Sequence, residues 1–254
     1  MKAPDLEIQP IPAFADNYIW LLRRDRHAVV IDPGDATPVL DFLARESLDL
    51  DAILITHHHA DHIGGVAALL GQTAALVYAP ARGHYVFPHV AVAESDRVLL
   101  PTLMLELAVM ETPGHTLDHV TYYGADCLFC GDTLFSAGCG RLFEGTPAQL
   151  HASLQRLSAL PDNTAVFCTH EYTEHNLGFA RMLDPDNTEL AARQDEVRAL
   201  RRYGRPSLPS NLALERATNP FLRCRDPAIQ LASGCENADE VAVFAAIREM
   251  RNHY

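Results

Sequence analysis

The run Thr56–Gly65, THHHADHIGG, constrains this chain more than any other stretch. It begins where the apolar segment DAILIT ends and precedes the helical pattern VAALLGQ. It therefore marks a strand end feeding a helix start, the place where layered α/β folds carry their sites. His57 and His59 stand two apart on extended chain, so both imidazoles project to one side and can chelate a single cation. Asp61 and His62 follow as the chain turns toward the helix, which aims them at a neighbouring point, so the spacing favours two ions over one. His58 lies between two same-facing side chains and is expected to point away.

Three further residues share this setting, a polar ligand-type side chain at the end of an apolar run beside Gly or small residues: His115 in TPGHT, Asp132 in FCGDT and His170 in FCTHEY. A carboxylate has two oxygens and can serve two ions, so Asp132 is the natural bridge. One ion is then expected on His57, His59, His115 and Asp132, and a second on Asp61, His62, His170 and Asp132. Nitrogen and oxygen donors of this kind suit zinc, with iron or manganese as alternatives. Two divalent ions per chain are expected. The other eight histidines lack this setting and are read as ordinary surface or packing side chains. Asp32, in the strand-end run VVIDPG, is a candidate for orienting a ligand imidazole.

The first two thirds of the chain alternate short apolar runs with turns, at 19–22, 27–34, 51–57, 75–80, 103–114, 120–124, 127–132 and 165–170. Between them lie helical patterns: TPVLDFLARES, and TPAQLHASLQRLSAL with Thr146 as N-cap and Pro147 in the first helical position. The strand pattern then stops. Two helices follow, one over TELAARQDEVRALRRY closed by Gly204, the other from Asn237, with Glu240 completing a capping-box-like start, to about Arg251. The turn-rich stretch GRPSLPSNLALERATNPFLRCRDP separates them. The expectation is a mixed α/β catalytic body over residues 1–170 and a smaller helical domain over 171–254.

The chain's 254 residues carry 33 Asp and Glu against 20 Lys and Arg, a net charge of −13 that repels nucleic-acid phosphate and anionic membrane. Neither is expected as a partner. The opening MKAPDLEIQPIPAF is too broken by prolines and acids to form an apolar leader, and no apolar run approaches membrane-spanning length. A cytoplasmic monomer is expected. Six scattered cysteines are read as reduced core thiols; Cys127 and Cys130, three apart on a strand, face opposite ways and are not a metal or redox pair.

The order T-H-x-H-x-D-H, P-G-H-T, G-D-T and a late histidine resembles the metallo-β-lactamase superfamily, and AGCGRLFEGT, THEYT and the terminal Arg248-x-x-Arg251 resemble its glyoxalase II branch, the hydroxyacylglutathione hydrolases. The resemblance covers essentially the whole chain. It implies an αββα four-layer sandwich with a C-terminal helical domain that completes a glutathione site, where Arg141, Tyr172, Arg248 and Arg251 hold the glutathione part of the substrate. Phe143 stands where some members carry a tyrosine, which removes one hydroxyl contact.

The reaction so implied is hydrolysis of S-D-lactoylglutathione. Two ions sharing Asp132 and a water lower that water's pKa toward about 7, and the bridging hydroxide attacks the thioester carbonyl. Asp61 is a candidate acceptor for the proton. The rival reading is a glutathione persulfide dioxygenase of the same superfamily, which resembles this chain in the first metal motif but lacks the helical extension ending in RxxR.

Overall fold

Every position of Tyr18–Leu22 is buried, as a strand in a sheet covered on both faces demands. In the computed structural model, which describes residues 6–254, this run belongs to the second strand of a sheet of six. The chain divides into two compact units: residues up to Glu111 with Leu117–Gly131, and Thr112–Thr116 with Asp132–Tyr254.

In the first unit, β1 (Glu7–Ala13), β2 (Asn17–Arg24), β3 (His27–Ile31), β4 (Asp49–Leu54), β5 (Leu76–Pro80) and β6 (Val90–Val92) lie side by side in chain order. The first three pair antiparallel and the rest parallel. Parallel neighbours need crossovers. These are α1 (Ala36–Glu46), between β3 and β4, and the short α2 (Ala60–Ile63) and α3 (Val66–Leu70), between β4 and β5. Asp35 caps α1 by accepting from the Thr37 N–H at 2.9 Å, and Ser47 ends it in the left-handed region. Val39 and Leu43, one turn apart, bury against the cluster that includes Val66, Leu69, Ile53 and Val77. Each such side chain stabilises the fold by about 1.5–3 kcal/mol. A meander of β7 (Arg97–Leu100), β8 (Leu105–Glu111), β9 (Val120–Gly124) and β10 (Cys127–Gly131) completes the unit.

Strand β1 lies outside the apolar runs singled out in the sequence, in a stretch whose prolines are read there only as ruling out an apolar leader. It is the sheet's edge. Pro10 and Pro12 are two apart, so both missing N–H groups fall on the same side, and an edge strand tolerates that side unpaired.

The second unit holds the hairpin β11 (Leu134–Phe135) and β12 (Gly138–Cys139), then α4 (Pro147–Ser158), β13 (Ala165–Cys168), α5 (Thr173–Leu183), α6 (Thr188–Arg202), β14 (Ser210–Asn211), α7 (Leu212–Thr218), α8 (Pro227–Ser233) and α9 (Glu240–His253). The capping box of α4 forms as expected, with Thr146 and Gln149 bonding reciprocally. Three helices, α5, α7 and α8, occupy stretches not singled out from the sequence. The last helix starts later than expected: Asn237 has φ 64, whereas Asp239 is extended and its carboxylate accepts from the Ala242 N–H at 2.8 Å. Glu240 therefore sits at the first helical position and pairs with Arg225 at 2.6 Å instead of completing a capping box. All six cysteines are free thiols and five are buried. Among the described residues, no helix is long and apolar enough to cross a membrane.

Candidate active site

The Thr56–Gly65 run leaves the C-terminal end of β4 as expected, and a buried carboxylate organises it. Asp32 is 2% exposed and accepts from the Thr56 N–H and the Thr56 hydroxyl, both at 2.7 Å, and from His62 Nδ1 at 2.9 Å. The Thr56 oxygen, having donated to Asp32, accepts in turn from His57 Nδ1 at 3.0 Å. With Nδ1 protonated in both rings, Nε2 carries the lone pair, the form that ligates a metal. His57 Nε2 lies 3.0 Å from His59 Nδ1, and His62 Nε2 lies 3.5 Å from an Asp61 oxygen. Asp32, His57 and His62 place donor atoms within 4.8 Å of one another.

The backbone permits this only with glycine beside it. A Cβ on Gly34 would stand 1.9 Å from the Asp61 carbonyl oxygen. Gly131, at φ 47 just before Asp132, would bring a Cβ within 2.4 Å of the Thr56 hydroxyl oxygen.

Two residues of this unit escaped the sequence reading. Asn17, 6% exposed, donates to an Asp61 oxygen at 3.1 Å, and the turn from β1 to β2 brings it there from 44 residues away. His119, 1% exposed, is not an ordinary surface histidine: its ring stacks on His57 with centroids 4.9 Å apart and planes 19° from parallel. His58 bonds Asp118 at 2.9 Å through Nδ1, and Tyr85 donates to the other Asp118 oxygen at 2.7 Å. Burial and that hydrogen bond push the Tyr85 hydroxyl far above its ordinary range, so it is a fixed donor.

In the second unit, His115, Asp132 and His170 come together and are nearly buried. Nε2 of His115 and Nε2 of His170 each lie 3.4 Å from the same Asp132 oxygen. Ligands at about 2.0–2.1 Å in a tetrahedral arrangement stand roughly 3.3–3.4 Å apart, so both edges have the spacing of a coordination shell. His115 donates from Nδ1 to the Arg141 carbonyl at 2.8 Å, which again puts the lone pair on Nε2, the form that can ligate a metal. The donor set therefore suits a divalent cation. Phe143 is 60% exposed, meets His115 edge-on at 5.3 Å, and gives its backbone N–H to the His115 carbonyl at 3.2 Å.

The remaining expected residues share a cleft of about 190 Å³ in this unit, lined by Arg141, Tyr172, Arg248 and Arg251 with Asn176 and Asn252. Tyr172 stacks on His170 at 4.7 Å, with planes 3° apart. Arg251 donates to the Asn176 amide oxygen at 3.1 and 3.3 Å. Arg248 is 7% exposed and gives Nη1 to the Cys139 carbonyl at 2.9 Å, so part of its guanidinium is already committed. Burial and the neighbouring Arg248 both lower the Arg251 pKa, the signature of cations crowded without a carboxylate. Three guanidiniums line one cleft of an acidic protein, and guanidinium forks match the geometry of carboxylates.

Residues 14–170 match the model of the metallo-beta-lactamase superfamily, and residues 171–254 match that of the hydroxyacylglutathione hydrolase C-terminus. The chain is 58% identical to a hydroxyacylglutathione hydrolase of Methylobacillus flagellatus, covering 98% of this chain and 99% of the relative. It is 49% identical to one of Nitrosomonas europaea, covering 98% and 97%. Among solved structures, ETHE1 from Myxococcus xanthus is 28% identical, with a TM-score of 0.66 and 97% of each chain covered. The mixed α/β class expected from the sequence, a metallo-β-lactamase fold followed by a helical C-terminal part, is borne out. On this similarity over nearly its whole length, the chain belongs to the hydroxyacylglutathione hydrolase family of the metallo-β-lactamase superfamily.

Proposed function

We propose that the protein is a metal-dependent thioesterase that hydrolyses S-(2-hydroxyacyl)glutathione, chiefly S-D-lactoylglutathione, to glutathione and D-lactate. The observation that carries the reading is one Asp132 oxygen at 3.4 Å from the ligating nitrogens of both His115 and His170. A carboxylate so placed suits a shared ligand. Two divalent ions, zinc with iron or manganese as alternatives, are assigned to His57, His59, His115 and Asp132, and to Asp61, His62, His170 and Asp132. The donor types and the family membership support this assignment. Residues 1–170 are taken as the catalytic domain and 171–254 as the domain that binds glutathione.

When bound, the ions supply the Lewis acidity that makes water a nucleophile near neutral pH and polarises the thioester carbonyl. The protein's own groups do the rest. Asp32, Thr56 and the Arg141 carbonyl fix three imidazoles through Nδ1. Asn17 holds Asp61, which serves as acceptor for the water's proton. Arg141, Arg248 and Arg251 hold the glutathione carboxylates, and Tyr172, stacked on His170, joins that cleft to the ligand cluster. No serine or cysteine nucleophile is called for. The test is turnover of S-D-lactoylglutathione with thiol and D-lactate measured together. Equal release of both supports the reading; oxygen consumption with glutathione persulfide and no thioester hydrolysis replaces it with the dioxygenase.

A further inference from the structure

The β11–β12 hairpin joins Asp132 to Arg141, and its Phe135 and Cys139 line the arginine cleft. Only two residue pairs hold the ribbon, Leu134 with Cys139 and Phe135 with Gly138. So short a ribbon does not fix its own conformation. Its turn also contains Ala137 at φ 55, a left-handed position that an alanine occupies only when its surroundings impose it.

The helical part of the chain supplies those surroundings. Glu215 accepts from the Ala137 N–H at 2.8 Å. Asn219 donates to the Phe135 carbonyl at 3.1 Å, to the Gly138 carbonyl at 2.9 Å and to Glu215 at 3.1 Å. Asn176, whose amide oxygen holds Arg251, donates from its nitrogen to the Ser136 carbonyl at 3.1 Å. Glu215, in the first turn of α7, and Asn219, its C-cap, are both 0% exposed and sit one turn apart. A fully buried carboxyl is costly to desolvate, and an apolar side chain of similar volume commonly serves stability as well or better. What an apolar side chain cannot do is hold four consecutive backbone positions at one address.

We infer that Glu215, acting with Asn219, is a positioning residue for substrate binding: it sets the 134–139 hairpin so that Arg141 and the floor of the arginine cleft keep their places relative to Asp132. The inference rests on the cleft being the glutathione subsite. Glu215 touches neither substrate nor a ligating nitrogen, so its effect falls on KM and not on the chemical step.

The experiment compares wild type, Glu215→Gln, Glu215→Leu and Asn219→Ser, each as the metal-loaded full chain with metal content and circular dichroism recorded. Glu215→Gln keeps an acceptor oxygen for the Ala137 N–H, so its KM should stay within about threefold of wild type. Glu215→Leu and Asn219→Ser should each raise KM by about tenfold or more, with kcat within about threefold and metal content unchanged. Glutathione affinity by calorimetry should weaken by the same factor, and this arm reads the cleft even if wild type fails to hydrolyse the thioester, which would sink the functional reading alone. Asn219→Ser removes the two hairpin bonds together with the bond to Glu215, while its hydroxyl can still accept from the Phe221 N–H, and it decides the matter if the leucine variant does not fold. Unchanged KM and glutathione affinity in a folded Asn219→Ser or Glu215→Leu protein overturn the inference, as does a loss in kcat alone.

Discussion

Replacing Asp32 by Asn isolates the step from hydrogen bonding to metal affinity. The backbone tolerates it: Asp32 sits at φ 53, and Asn is among the few residues that visit that region readily. The side chain is nearly isosteric, so no cavity opens. What changes is the acceptor count. One carboxylate oxygen takes the Thr56 N–H, while the other faces two donors, the Thr56 hydroxyl at 2.7 Å and His62 Nδ1 at 2.9 Å. In the amide, an NH2 group stands in place of one of these oxygens. If the remaining oxygen keeps the Thr56 N–H, His62 Nδ1 must become the acceptor, and the proton moves to Nε2, 3.5 Å from Asp61. That nitrogen then no longer presents a lone pair to a cation. Loss of such an orienting partner lowers metal affinity by about 10–100-fold, or about 1.4–2.8 kcal/mol at 1.4 kcal/mol per tenfold. Competition against a chromophoric chelator measures it directly, with circular dichroism as the check on folding. A folded Asp32→Asn protein whose metal affinity lies within twofold of wild type would refute the idea that Asp32 sets the His62 tautomer.

Other outcomes follow from single contacts. Arg251→Ala removes a cation fixed by Asn176, so KM should rise by about 10–100-fold with kcat nearly unchanged, as initial rates will show. Five of the six thiols are buried, and burial pushes Cys224 up to about 12, so one thiol, Cys235, should react with a disulfide reagent in native protein and all six after denaturation. Burial raises the Glu215 carboxyl above its ordinary 4.5. Its contribution to stability is therefore full below pH 4.5 and lost as pH rises through the folded-state value. Urea unfolding of wild type should weaken relative to Glu215→Gln as pH rises from 4.5, and parallel pH profiles would contradict this.

What the sequence made legible was local. His57 and His59 lie two apart at a strand end, and that spacing alone brings their nitrogens together, while the turn that follows sets His62 beside His57 in a neighbouring cluster. Asp32 could be suspected because it too ends a strand, though its three hydrogen bonds depend on β3 lying beside β4. Asn17 and His119 were invisible because pairing and stacking bring them to the cluster from distant stretches. Glu215 and Asn219 lay inside a run read as turns, where Asn211 as N-cap and a seven-residue helix left too short a periodic signal. Strand β1 was hidden by prolines, which forbid a central strand and are harmless at an edge.

The central claim is that catalysis needs two ions sharing Asp132, and metal counting joined to activity tests it most directly. Purified protein should contain close to two zinc, iron or manganese ions per chain by elemental analysis. Chelation should abolish hydrolysis of S-D-lactoylglutathione, and readdition should restore it in proportion to the ions regained. Asp132→Ala should lose tight binding of both ions together. An Asp132→Ala protein that keeps two tightly bound ions, or a metal-stripped wild type that still turns over, would contradict the account.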